Sequence, residues 1–208
     1  MGAMARGPRS LAAMPRGLQP RFLGDSELDR NLEALREEVW RARVCWEAWW
    51  VMKGRRYRGK YHSVFEQYSD YFKVAIHSHF TALVMAIWRL HDSDPPGISL
   101  QTITGRIGPR PDIAQETLQQ YRGRIRSIRP LVVGLETIRH KFLAHRDPAY
   151  TVERAFREAN LKYRDLRRVV DNSLDLVNIL LRARRLGSLS FDNSITADTV
   201  RVIRRLHR

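Results

Sequence analysis

Cysteine occurs once in this 208-residue chain, as Cys45, which excludes an intrachain disulfide and any cysteine-based zinc site and fits a reducing, cytoplasmic setting. Long apolar runs are missing too. The most hydrophobic stretch, "FTALVMAIW" at 80 to 88, lies between His79 and Arg89 and falls well short of the roughly 20 apolar residues a membrane helix needs. There is no HExxH, no phosphate-cradling glycine loop and no dinucleotide fingerprint, which removes the common zinc hydrolases and nucleotide folds. No segment alternates apolar and polar residues in the manner of a strand. Lysine is scarce, at 5 of the 37 basic residues, and the other 32 are arginine.

What is present begins with that arginine. Against 22 acidic residues it leaves a formal net charge of +15. The guanidinium is a planar, permanently charged fork that grips phosphate at two points, so the balance points to polyanionic partners. The first acid is Asp25, and residues 1–24, with Arg6, Arg9, Arg16, Arg21 and several Gly and Pro, read as a disordered basic leader ahead of one helical domain over 25–208.

From Ser26 onward the period is helical. Leu28, Leu32, Leu35, Val39, Ala42, Trp46 and Trp49 make one seam, with Ser26 and Asp29 placed like a capping box. "KGRRYRGK" at 53 to 60 interrupts it as an exposed basic loop or frayed helix end. A second helix carries Phe65, Tyr68, Phe72, Ile76, His79, Leu83, Ile87 and Leu90 to a stop at "HDSDPPG". A third is expected from Asp112 to His145, kinked or split near Ser127 by Pro130, with Ile128, Leu131, Leu135, Ile138 and Phe142 as its buried ridge. Asp147 and Pro148 form an N-cap and first-turn pair, which predicts a fourth helix running to Leu186 and closed by Gly187, followed by a short basic helix from Thr196 to Leu206. The fold class expected is all-α: four long helices in an up-and-down bundle plus short helices.

Among the polar clusters, "HSH" at 77 to 79 puts two imidazoles on opposite sides of a helix, so they cannot share a metal, and His79 is expected as a hydrogen-bonded core residue. Trp40, Trp46, Trp49, Trp50 and Trp88 are all able to stack bases, but Trp46 and Trp49 sit on the seam and are expected in the core, with Trp50 the least decided of the five. Arg55, Arg56 and Arg58, with Arg122, Arg124, Arg126 and Arg129, are the candidate phosphate contacts, joined by Lys141 and Arg146 beside the motif below. No short turn joins two short helices in the helix-turn-helix manner, which disfavours a DNA-binding reading.

The densest chemistry is "ETIRHKFLAHRDP" at 136 to 148, where an apolar ridge runs into Arg139, His140, His145 and Asp147. On a straight helix Arg139 and His145 stand about 120° apart around the axis and about 9 Å along it, so one chain does not easily bring both to one small target. Two chains about a two-fold axis can. Arg139, His140, then "KFLA", then His145 resembles the signature of the HEPN superfamily. The wider run "RHKFLAHRD", preceded by a long helix ending "RLHD" at 89 to 92 and by "PGISLQTI", is similar to its AbiU-type abortive-infection branch over roughly residues 27 to 207.

The resemblance implies a HEPN-like bundle acting as a metal-independent ribonuclease, with no metal and no cofactor. Its partners would be RNA, a second copy of the chain completing a composite site, and an antitoxin protein, with no membrane. RNA brings its own nucleophile, the 2′-hydroxyl, so cleavage needs a base, an acid and positive charge on the phosphate. Arg139 would hold the phosphate, and two copies of His145 would divide the base and acid roles. His140 would orient the site or share proton transfer, and Asp147 is read as a helix cap. Asp147 also stands where relatives controlled by a nucleotidyltransferase carry tyrosine, so the resemblance does not extend to modification by such a partner. The alternative is a non-catalytic RNA-binding or scaffold protein of the same fold.

Overall fold

A computed structural model describes residues 24–93, 97–107, 111–144 and 151–207, with side chains omitted for 142–144. The leader, apart from Gly24, lies outside the described residues, as do His145, Arg146, Asp147 and Pro148. Every regular element among the described residues is helical. In chain order they are α1 (Asp25–Lys53), α2 (Arg55–Lys60), α3 (His62–Gln67), α4 (Ser69–His91), α5 (Ile103–Ile107) and α6 (Gln115–Ile138). A π turn (Arg139–Ala144) follows, then α7 (Val152–Glu158), α8 (Tyr163–Ala183) and α9 (Ser194–Leu206).

The four long helices α1, α4, α6 and α8 form the bundle. α1 packs between α4 and α8, and α6 closes the ring against both. Paired positions show antiparallel neighbours: Trp49 meets Phe80 while Glu38 meets Arg89, and Trp49 meets Tyr163 while Asp29 meets Arg184. The seam of α1 is buried throughout, with Leu28, Leu32 and Val39 at zero exposure, because a four-and-three repeat keeps one stripe facing the neighbours. Among the described residues no helix is long and apolar enough to cross a membrane.

Buried polar groups tie the bundle together. His91, at the end of α4, has its Nε2 2.8 Å from the Ser173 hydroxyl of α8, which itself donates to the Val169 carbonyl. The hydroxyl proton is thereby committed, so His91 must donate from Nε2, and burial favours the neutral ring. Tyr121 of α6 is fully buried and donates to the Leu100 carbonyl, fixing the segment before α5. Arg43 and Glu47 of α1 are paired at 2.6 Å, with Asp171 and Thr196 completing the set. Arg184 joins three stretches of chain: it holds Asp29 in α1 at 2.9 Å, pairs with Asp112 ahead of α6, and sits 3.5 Å from Asp25.

Several local expectations are corrected. α1 starts at Asp25 with Gly24 as its cap, so Ser26 lies inside the helix and forms no capping box with Asp29, whose carboxylate is held by Arg184. The basic tract is a helical turn, α2, with Arg55, Arg56 and Arg58 exposed. The helix expected through Phe65 breaks at Tyr68, where ψ swings to 37°. α6 runs unbroken through Pro130, and the hydroxyl of Ser127 caps the Arg124 carbonyl one turn before it. The third helix ends at Ile138 as an α-helix and continues as the π turn rather than reaching His145 in α geometry. His79 is half-buried with no hydrogen bond among the described residues, and desolvation lowers its pKa.

The expected fourth helix is two. α7 is capped by Thr151, whose side chain accepts from the Arg154 amide, and it ends where Asn160 takes a positive φ of 52°. The amides of Asn160 and Leu161 then return to the carbonyls of Arg157 and Phe156, a Schellman ending that tucks Leu161 into the core. α8 ends the same way at Arg185, with φ of 57°, two residues before the expected Gly187.

Candidate active site

Arg139 and His140 stand at the junction of α6 and the π turn. The Arg139 backbone is still α-helical, and its amide reaches the carbonyls of Glu136 and Leu135. Beyond it each hydrogen bond spans one more residue than in an α-helix, a bulge geometry frequent at functional sites. Two side-chain contacts brace the wide turn. The Arg139 guanidinium lies over the Trp88 indole of α4, 4.2 Å from the ring centroid. Lys141 pairs with Glu158 of α7 at 2.8 Å, and Arg154 shares that carboxylate at 3.0 Å.

Arg139 and His140 also touch each other, Nη2 to ring Nε2, at 2.9 Å. Arginine has only donors, so His140 Nε2 is the acceptor and its ring proton sits on Nδ1. The Nε of Arg139 is buried and has no hydrogen-bond partner among the described residues, and the guanidinium is held by the Trp88 stack together with the His140 contact. Such a group suits an anion: it is a half-buried guanidinium oriented by an aromatic face.

The structure thus joins Arg139 with His140. His145 and Arg146 lie outside the described residues. Lys141 is exposed and engaged by Glu158. Arg124 is paired with Asp175 at 2.6 Å. Arg122, Arg126 and Arg129 are exposed at helical spacing on one line that continues through Val133 and Glu136 to His140, roughly 27 Å at 1.5 Å per residue. Arg58 lies over Phe65, 5.7 Å from its centroid. Arg55 and Arg56 open onto a groove of about 880 Å³ with Trp50, Tyr57 and Tyr163.

The sequence offers Trp88 only as an indole able to stack bases, and its partnership with Arg139 has no local signal because it lies one position off the α4 seam. Only the packing of α4 against the π turn makes it the platform for Arg139.

The AbiU2 family of HEPN proteins matches this chain over residues 25–200, which spans all four long helices and the Arg139–His145 motif. Comparisons with curated proteins and with solved structures gave no match.

Proposed function

Because the chain belongs to the AbiU2 family of HEPN proteins, we propose that it is a metal-independent endoribonuclease working as a dimer in abortive infection or as the toxic half of a toxin and antitoxin pair. The observation that carries the reading is Arg139: a half-buried cation stacked on Trp88 and hydrogen-bonded to His140 beside the motif.

In the proposed reaction the 2′-oxygen attacks phosphorus as His145 of one protomer removes its proton. The bond to the 5′-oxygen breaks as the His145 of the second protomer protonates it. The products are a 2′,3′-cyclic phosphate and a 5′-hydroxyl, with no water consumed in the cleavage step. Arg139 stabilises charge on the non-bridging oxygens, where a preorganised donor acts most strongly. His140 orients Arg139 through the 2.9 Å contact. The exposed line of Arg122, Arg126 and Arg129 supports the reading by offering phosphate contacts that lead along α6 toward the motif.

The test is cleavage of a mixed transcript pool in excess chelator, with products analysed for the cyclic phosphate. Arg139→Ala and His145→Ala are each expected to lower the rate by about a hundredfold or more while circular dichroism and dimer mass stay unchanged. Wild-type rates no faster than either variant would remove the enzyme reading. A second reading, a non-catalytic RNA-binding scaffold, draws on the same Trp88 contact, since an arginine occupied within its own chain also serves packing. It predicts salt-sensitive binding with no cyclic product.

A further inference from the structure

The groove between the end of α1, α2 and the start of α8 shares no lining residue with the π turn. We infer that it is a second nucleic-acid site, an anchor that stacks one unpaired base of a single strand on Trp50 and holds its flanking phosphates with Arg55 and Arg56. The inference rests on the ribonuclease reading only in taking the strand to be RNA.

Trp50 is 44% exposed. It is not loose: it stacks on the buried Trp46 with a centroid separation of 5.3 Å and an interplanar angle of 17°. That support leaves the rest of the ring as a rigid, preoriented platform at the groove. Tyr57 and Tyr163 add aromatic wall. A volume of about 880 Å³ lies within the range of pockets that enclose a compact organic ligand, and a nucleotide is one.

The charge at the groove selects the ligand class. Arg55 and Arg56 are exposed and have no carboxylate partner among the described residues. The one carboxylate in the lining among the described residues, Glu153, is held by Lys53 at 3.0 Å and accepts from the Tyr163 hydroxyl at 3.3 Å. Burial and that carboxylate push the Tyr163 hydroxyl up to about 12, so it stays a donor. The groove therefore pairs uncompensated guanidinium charge with an aromatic platform, and it sets a donor and acceptor cluster at its side where a base edge can be met. Aromatic stacking beside a cationic track is how single strands are gripped without a duplex.

The anchor is also coupled to the motif in space. α7 carries Glu153 at its start, on the groove, and Glu158 at its end, on Lys141 of the π turn. Those two contacts are about 8 Å apart along a helix of this rise, so a strand held in the groove is within reach of the Arg139 region.

The experiment is fluorescence anisotropy with a short labelled 2′-O-methylated RNA, which lacks the nucleophile and cannot be cut, read against its own duplex and a DNA strand of the same sequence. Full-length protein is expected to prefer the single strand to the duplex. Trp50→Ala should weaken single-strand binding about tenfold or more, the usual consequence of losing one stacked base, while Trp50→Phe keeps most of the affinity. Replacing both Arg55→Gln and Arg56→Gln should lower the salt dependence by about 1.4 on a logarithmic scale, the loss of two phosphate contacts on a single strand. Equal affinity of wild type and Trp50→Ala, or a duplex bound as well as a single strand, would overturn the anchor. A protein that binds as expected yet cuts no transcript sinks the ribonuclease reading alone.

Discussion

At the scale of single residues, His91 shows how a polar group is accommodated in this core. It is 2% exposed, donates to Ser173, and leaves Nδ1 without a partner among the described residues. Desolvation lowers its pKa to about 4, against 6.5 for the free side chain. The unfolded chain binds a proton below about pH 6.5 and the folded chain does not until about pH 4. The contribution of His91 to stability is therefore complete above the upper value and falls as pH drops between the two. Between about pH 7.5 and about pH 5 the loss is on the order of 2 kcal/mol. Half-buried His79 shifts in the same direction, so His91→Gln isolates the effect. Urea midpoints at the two pH values should differ clearly less in the variant than in the wild type, and equal differences would refute the assignment.

At the scale of elements, the informative positions are the helix ends. Asn160 and Arg185 both occupy the left-handed region, at φ of 52° and 57°, and each closes a helix through the same pair of returning amides. Asparagine tolerates that conformation, whereas arginine carries a steric cost of about 1 kcal/mol that glycine lacks. Arg185→Gly should therefore raise stability by up to about 0.5 kcal/mol after the added freedom of the unfolded glycine is counted, a gain of up to about two degrees in a thermal melt. A lower melting temperature would show that the Arg185 side chain outweighs its backbone strain. These ends also explain what the sequence could and could not reveal. The four long helices were legible because Leu28 to Trp49 and Leu83 to Leu90 repeat at three and four residues. The break at Asn160 was not, because "REANLKY" contains neither proline nor glycine and Leu161 continues an apolar pattern. Arg139 and His140 were legible as a motif, since their chemistry is local. Trp88 under Arg139 and Trp50 beside Arg55 were not, because those pairings depend on how separate elements pack.

For the whole molecule the governing quantity is charge. A formal +15, carried by 32 arginines, has few large carboxylate clusters to neutralise it, and Arg122, Arg126, Arg129, Arg55 and Arg56 all sit at the surface. Affinity for any RNA should then fall linearly on a double-logarithmic plot against salt. If those five side chains each meet a phosphate of a single strand, the slope should be near −3.5. A slope near zero, measured by titration across a salt series, would mean that these arginines serve solubility rather than binding. The same scale gives meaning to Arg184, whose one guanidinium grips the opening turns of α1, the stretch ahead of α6 and the close of α8. Three segments tied to a single guanidinium loosen as a set: in Arg184→Ala, amide exchange at the opening of α1, ahead of α6 and at the close of α8 should quicken together, and quickening in one alone would show that the tie carries no coupling.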